Sequence, residues 1–342
     1  MLRKLFRRGA RRLVQLPLFA SVSMAARAHH AESLHLGSVA AGIPADFNIG
    51  HCLAGLPAAA QAAQARGVRY GFDVEDFHDA ETDAAMRDPV SVATSRSLQT
   101  ALLPPCRHLT AAAPLIAQQV EAHYGVRATV VLNVFPRTFS PSTPIVPGPI
   151  TIDRPARLYW FSQTIGPGRG LEAVIAAVGQ MQTPVELHLR GFLRAGYDTR
   201  LQALATKAGV RNPISFLAPG PSSEMVRLAA GADLGLSTEE SVPLNRDICL
   251  TNKIFTYLLA GIPQLLSSTS AQRALAPALG DAALLADLSR PEKVAQMLDT
   301  FFADPTRMNH ARQTAWNSGQ EKYCWDVEKD KFLASVRKAL VT

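Results

Sequence analysis

Between Thr251 and Pro263 the chain carries a short segment that starts, continues and ends a helix. Thr251 or Asn252 can cap this helix with a side-chain oxygen, and Gly261 ahead of Pro263 ends it. An apolar strand follows, so the segment predicts a loop, a helix and a strand in that order. In an open parallel sheet such a helix starts at the carboxyl edge of the strands, where ligands bind. Lys253 in the first turn opposes the helix dipole and so favours an anionic ligand, although a purely structural helix fits the same residues.

Short apolar segments alternate with helical segments along much of the chain, which predicts right-handed crossovers and parallel sheets. The predicted strands lie at residues 47–52, 68–72, 108–112, 128–134, 157–161, 185–190, 214–217, 234–236 and 264–266. The predicted helices between them lie at residues 57–66, 98–103, 114–124, 172–181, 201–208 and 222–230. A length of 342 residues with 47% hydrophobic content suits two α/β domains of ordinary size.

A proline-rich segment divides the predicted elements into two groups. Six prolines stand among serines and threonines between residues 136 and 156, which cannot hold a regular element and which we interpret as a linker. We therefore predict a first domain with its linker over residues 1–148 and a second domain over 149–320. Residues 321–342 predict an amphipathic closing helix.

The helix segment also resembles a known signature. The matching residues are Asn252, Lys253, Ile254 and Phe255, followed by Ala260, Gly261, Ile262 and Pro263. They are similar to the PNK-x-FEY-x-x-AG-x-P signature of retaining glycosyltransferases of family 4. The resemblance implies a GT-B fold, in which two Rossmann-like parallel-sheet domains face a cleft. This chain departs from the family's pattern with Thr251 in place of proline and Thr256 in place of glutamate. The commoner acidic pair of the family would place its first member at Ile248.

A glycine-rich turn follows the strand that opens the second domain. Gly166, Gly168 and Gly170 permit close backbone approach, and the planar fork of Arg169 can bridge phosphate oxygens. The spacing matches neither the dinucleotide fingerprint nor a P-loop. Family 4 donor domains carry a similar loop with a basic residue, so the resemblance implies a nucleotide-sugar site. We predict that the donor-binding residues are Gly168, Arg169, Gly170, Asn245, Asn252, Lys253 and Thr256.

Ionisable side chains crowd the end of the second predicted strand, where Asp73, Glu75, Asp76, His78 and Glu81 follow one another closely. A carboxylate or imidazole at a strand end can orient a sugar hydroxyl or take its proton, and we name Glu75 and His78 as the catalytic candidates. A metal site and a solvated loop with a helix cap are the other two interpretations of this cluster. Because the intervals match no metal motif, we predict no metal and no cofactor.

Positive charge is concentrated at the N-terminus. The whole chain carries +7, of which six positive charges lie in the first twelve residues, so the remainder carries +1. This distribution does not support a nucleic-acid footprint over the body of the protein. The basic segment contains apolar residues as well, so it predicts a helix on an anionic membrane surface, a cleaved secretory signal or a solvated helix of the first domain.

Four widely separated cysteines favour a reducing compartment, and we predict a cytoplasmic protein, with attachment to the inner face of the cell membrane as one option.

The resemblance implies transfer of a sugar from a UDP- or GDP-sugar to an acceptor hydroxyl, with retention of configuration at the anomeric carbon. The acceptor would be a glycan or a lipid-linked sugar, in the synthesis of a surface polysaccharide or a glycolipid. Residues 1–45 show no strand, turn and helix with a glycine-rich first loop, so the first domain is predicted to be incomplete. Threonine at position 256 cannot stabilise positive charge that develops on the sugar. The alternative hypothesis is therefore a catalytically impaired or noncatalytic homologue that binds a nucleotide-sugar.

Overall fold

A computed structural model describes residues 10–11 and 21–341 of the chain, and these residues divide into two compact units. The first unit runs to Leu132 and takes in two later segments, Val242–Cys249 and the residues from Lys329 onward. The second unit consists of Asn133–Ser241 and Leu250–Glu328. The predicted basic segment at the N-terminus lies outside the described residues except for Ala10 and Arg11.

Strands and helices alternate through both units. The strands are β1 (Phe47–His51), β2 (Arg69–Val74), β3 (His108–Ala111), β4 (Thr129–Val130), β5 (Ala156–Ile165), β6 (Val185–Leu193), β7 (Ser215–Leu217), β8 (Leu234–Ser237), β9 (Gln264–Ser267) and β10 (Ala283–Ala286). The first helices are α1 (Val22–His29), α2 (Ser33–Ala41), α3 (Cys52–Arg66), α4 (Pro89–Leu102), α5 (Pro114–Tyr124), α6 (Leu171–Val178) and α7 (Tyr197–Ala208). The later ones are α8 (Met225–Ala229), α9 (Leu244–Ile248), α10 (Asn252–Ala260), α11 (Ser270–Leu279), α12 (Pro291–Phe302), α13 (Pro305–Glu321) and α14 (Trp325–Val341).

The first unit contains a four-stranded parallel sheet in the order β1-β2-β3-β4. Its register places His51 at the end of β1 opposite Asp73 of β2, and Asp73 opposite Thr110 of β3. The ionisable cluster predicted from the sequence therefore begins at the carboxyl edge of this sheet, with Asp73 near the end of β2 and Glu75 just after it.

The second unit contains a six-stranded parallel sheet in the order β10-β9-β8-β5-β6-β7. The chain passes from β5 outward through β6 to β7 and then returns to β8 on the other side of β5. That reversal creates a topological switch point between β5 and β8, where open parallel sheets bind their ligands. Trp160, Leu158 and Leu236 from these two strands are fully buried in the hydrophobic core of the unit.

The predicted ligand-binding helix is α10, which spans Asn252–Ala260 and ends at Gly261 with a left-handed φ of 70°. This helix packs closely on the sheet. A Cβ added to Gly235 of β8 would lie 2.4 Å from the ring of Tyr257 in the helix. Thr251 has the extended conformation of a residue that caps a helix, but its side chain makes no capping hydrogen bond, so the predicted side-chain cap is wrong. The N–H of Ile254 donates to the carbonyl of Thr251 at 3.2 Å, so the capacity of the first turn to bind a ligand lies with its other N–H groups.

One buried charge network joins the start of β8 to other parts of the second unit. The carboxylate of Asp233 accepts two hydrogen bonds from Arg154 at 3.0 and 2.9 Å, one from the backbone of Arg157 at 2.9 Å and one from Arg312 at 3.3 Å. Arg312 lies in α13 and also donates to the carbonyl of Ile145 at 3.3 Å, so the network fixes the linker as well. No helix in the described part of the chain is long and apolar enough to span a bilayer.

Candidate functional site

Three segments of the second unit meet at the carboxyl edge of its sheet, and two of them are the predicted glycine-rich turn and ligand-binding helix. The loop after β5 carries Arg169, the loop after β8 carries Glu239, and Lys253 lies in the first turn of α10. Because β5 and β8 are neighbours in the sheet, their following loops lie side by side. The two cations that the sequence assigns to a phosphate site are thereby brought to the same carboxylate.

Glu239 lies between these cations. Its Oε1 is 2.6 Å from Nζ of Lys253, and its Oε2 accepts a hydrogen bond from Nη1 of Arg169 at 3.2 Å. The Glu239 and Lys253 side chains are only 1% and 4% exposed, whereas that of Arg169 is 30% exposed. Burial raises the pKa of Glu239, but the charges of Lys253 and Arg169 outweigh that effect and hold the pKa below its ordinary value. The carboxylate is therefore ionised at neutral pH.

Hydrogen bonds and close packing hold the two loops in place. Thr238 donates its hydroxyl to the carbonyl of Arg169 at 3.0 Å, and the backbone N–H of Glu239 donates to the hydroxyl of Ser267 at 2.9 Å. Gly170 adopts a left-handed φ of 69°, and a Cβ there would lie 2.9 Å from Leu288 and 3.1 Å from Thr238. A residue other than glycine at position 170 would strain this backbone and press on Leu288 and Thr238. The predicted approach of the turn to a phosphate stays a prediction.

A cavity of about 550 Å³ opens beside this cluster in the second unit. Its lining includes the hydroxyls of Ser241, Ser267, Ser268, Thr269 and Ser289, the carboxylates of Glu172, Glu239, Glu240 and Asp287, and the guanidinium of Arg200. Hydroxyls and carboxylates at this density can donate to and accept from a polyhydroxylated ligand such as a sugar.

The structure places two other predicted donor residues in contacts of their own. Asn245 belongs to the first unit, where it donates to Asp76 at 2.6 Å and accepts from the backbone N–H of Phe77 at 2.7 Å. It is therefore not part of the cluster around Glu239. Thr256 is fully buried in α10 and donates its hydroxyl to the carbonyl of Asn252 at 2.8 Å. A role for either side chain in donor binding stays a prediction.

Glu75 and His78, the two catalytic candidates, line a separate cavity of about 390 Å³ in the first unit. Glu75 lies 3.4 Å from Nδ1 of His51 and accepts from the thiol of Cys52 at 3.5 Å. The imidazole of His78 contacts Glu81 through Nδ1. Both candidates thus lie beside other ionisable groups, as a site for a sugar hydroxyl would require, and their catalytic role stays a prediction.

His51, Asp73 and Glu75 form the group in the described residues whose potential metal-ligand atoms lie within 4.8 Å of one another. His51 could not be recognised from the sequence, because a single histidine at the end of a strand gives no signal until the strand register is known. The side chain of Asp73 is also held by Thr110, whose hydroxyl donates to it at 2.6 Å. An imidazole whose Nδ1 lies 3.3 Å from Asp73 and 3.4 Å from Glu75 satisfies the same geometry without an ion.

Glu239 is the residue of this cluster that the sequence did not single out. A glutamate two residues after a buried strand, in a chain with basic residues at two nearby helix starts, is a detectable signal. It was missed because burial of the carboxylate depends on the β5 to β8 adjacency, which is not local in sequence.

Comparisons with solved structures identify the fold. HepE of Anabaena, solved in complex with UDP and glucose, matches with a TM-score of 0.70 and 17% identity over 89% of this chain and 81% of that one. Sucrose-phosphate synthase from Thermosynechococcus elongatus matches with a TM-score of 0.71 and 11% identity over 93% and 78%. A glycosyltransferase from Rickettsia africae matches with a TM-score of 0.70 and 11% identity over 91% and 82%. No protein-family model and no curated protein matches the sequence. The chain therefore has the GT-B fold, built from two parallel-sheet α/β domains.

Proposed function

We propose that the protein is a glycosyltransferase that moves a sugar from a UDP- or GDP-sugar to an acceptor hydroxyl with retention, in the manner of family 4. The observation that supports this most is the position of Arg169. Its partly exposed guanidinium lies at the switch point of the second sheet, beside the uncapped first turn of α10 and a cavity of about 550 Å³. A cation and free helix amides at that point suit a diphosphate.

The chemistry requires stabilisation of the departing nucleoside diphosphate. Arg169 and the first-turn amides of α10 would supply it electrostatically, and Lys253 adds its charge nearby. Hydroxyls and carboxylates in the neighbouring cavity would bond the hydroxyls of the sugar. Glu75 and His78 in the first unit would orient the acceptor hydroxyl and accept its proton, with a glycan or a lipid-linked sugar as the acceptor.

The second candidate function is a noncatalytic nucleotide-sugar binder. Position 256 holds a threonine whose hydroxyl is bonded within its own helix, and position 248 holds the buried Ile248. Neither side chain can stabilise a positive charge that develops on the sugar. Turnover distinguishes the two candidates: a folded protein that binds UDP but releases neither free glucose nor a transfer product from UDP-glucose is a binder.

We expect the protein to bind a nucleoside diphosphate. Gly170→Ala should weaken this binding about tenfold, because the substitution displaces the loop and with it Arg169. Titration calorimetry of the intact protein with UDP and GDP measures this. Gly209→Ala is the matched control, since Gly209 has a similar φ of 78° but nothing within 4 Å of an added Cβ. Equal loss of affinity in both variants, or no binding by the unmodified protein, would contradict the proposal.

We further propose that the basic N-terminus holds the protein on an anionic membrane. Arg11 contacts Asp88 and donates to Ser91 at 3.1 Å within the first unit, so its charge is already engaged there. Residues 1–9 carry four further cations, which at about 1 kcal/mol each favour an anionic surface by roughly 4 kcal/mol. Deletion of residues 1–9 should therefore abolish co-sedimentation with phosphatidylserine vesicles. Neutral phosphatidylcholine vesicles serve as the control. Equal pelleting of the intact and shortened chains with the phosphatidylserine vesicles would refute the proposal.

A further inference from the structure

The two predicted phosphate-binding cations are not equally accessible. The side chain of Lys253 is 4% exposed and its Nζ is 2.6 Å from Glu239. The same ammonium lies 5.6 Å from the ring centroid of Trp160, which is itself fully buried. The charge of Lys253 thus has a carboxylate and an aromatic face as its partners, both inside the protein.

Arg169 is placed differently. Its side chain is 30% exposed, and one nitrogen of the guanidinium is bonded to Glu239 at 3.2 Å. An arginine has five N–H donors in a planar fork, so a guanidinium anchored at one nitrogen still presents donors to a phosphate. The anchor reduces the freedom of a long side chain, and the bond to the carbonyl of Arg169 from Thr238 fixes its backbone.

The net charge of the three side chains is +1, because the carboxylate of Glu239 balances one of the two cations. The shorter ion-pair distance and the lower exposure identify Lys253 as the cation that balances it. The charge that remains for a ligand is then that of Arg169.

We infer that Arg169 is the side chain that contacts the diphosphate, and that Lys253 is a positioning residue that acts through Glu239. This inference rests on the proposed function and refines it, since the sequence assigns both cations to the donor. Lys253 neutralises Glu239, and Glu239 in turn holds Arg169 toward the ligand.

Three variants of the intact protein test the inference. Calorimetry measures their affinity for UDP, and saturation-transfer NMR measures their affinity for uridine. Arg169→Gln should weaken UDP binding by tenfold to about a hundredfold, the range for loss of a charge-assisted hydrogen bond, and leave uridine binding unchanged. Lys253→Met should weaken UDP binding about tenfold, because the charge of Glu239 then offsets that of Arg169.

The combined variant, Lys253→Met with Glu239→Gln, decides between a direct and an indirect role. Replacing both members of a buried pair with neutral groups of similar volume is often tolerated, and methionine suits the face of Trp160. Arg169 keeps its charge in this variant, and the amide oxygen of glutamine can still accept the bond from Nη1 of Arg169. UDP affinity should therefore return to within about threefold of that of the unmodified protein.

Each outcome has one meaning. A combined variant as weak as Lys253→Met would overturn the inference, because restoring the net charge of the cluster would then not restore binding. Unchanged UDP affinity in Arg169→Gln would also overturn it, while the proposed function would stand. Absence of UDP and GDP binding in the unmodified protein would instead overturn the proposed function.

Discussion

Asp233→Asn is expected to lower the free energy of unfolding by about 3–5 kcal/mol, because it leaves a buried cation without its partner. The side chains of Asp233 and Arg312 are 1% and 3% exposed. Burial lowers the pKa of Arg312 to about 10, and the charge of Asp233 acts in the opposite direction. Without that charge the guanidinium of Arg312 stays buried and poorly compensated. Urea unfolding followed by circular dichroism measures the loss.

Asp281→Asn is the matched control for this variant. Asp281 pairs with His310, which lies in α13 as Arg312 does, at 3.2 Å. Both of these side chains are more than half exposed, so the same substitution there should cost less than about 1 kcal/mol. Equal effects of the two substitutions would show that the network around Asp233 adds nothing beyond a surface ion pair.

Local signals in the sequence predicted the elements that carry the second-unit site. Gly261 ends α10 as expected, because a left-handed residue at this point favours glycine. The alternation of elements predicted both parallel sheets, which are confirmed. Gly170 has a left-handed φ of 69° in the glycine-rich turn, a conformation that favours glycine. These features depend on a few adjacent residues, so the sequence alone contains them.

Features that depend on distant residues were less predictable. The segment Val242–Cys249 belongs to the first unit, where Asn245 bonds Asp76 and the backbone of Phe77, residues about 170 positions earlier. Sequence position alone placed Asn245 in the second domain. The burial of Glu239 has the same origin, since it follows from the adjacency of β5 and β8.

Boundaries were wrong where a local rule met a tertiary contact. Helix α3 begins at Cys52 rather than at the predicted Pro57, because Leu53 and Leu56 are buried and extend its apolar face. The strand β10 was not predicted, since four residues of alanine and leucine fit a helix as well as a strand. Such short apolar segments acquire a defined structure only from their neighbours in the sheet.

Glu239→Gln is the second substitution for which we expect a loss of about 3–5 kcal/mol in the free energy of unfolding. It leaves Lys253, whose side chain is 4% exposed, without the carboxylate that now lies 2.6 Å away. Glu240→Gln is the matched control, because Glu240 is the next residue and is exposed, so its loss should cost less than about 0.5 kcal/mol. Guanidinium unfolding at pH 7 compares the two variants.

The pH dependence separates loss of charge from loss of packing. The pKa of Glu239 is below its ordinary value of 4.5 in the folded protein, so the ionised carboxylate stabilises the fold fully at pH values well above 4.5. As the pH falls below 4.5, the unfolded chain takes up the proton first and this stabilisation diminishes, until it is gone below the lowered pKa. The stability difference between the unmodified protein and Glu239→Gln should therefore shrink with acidification, provided both remain folded. A difference that stays constant from pH 7 to pH 4 and below would mean that packing of the side chain, and not its charge, holds Lys253 in place.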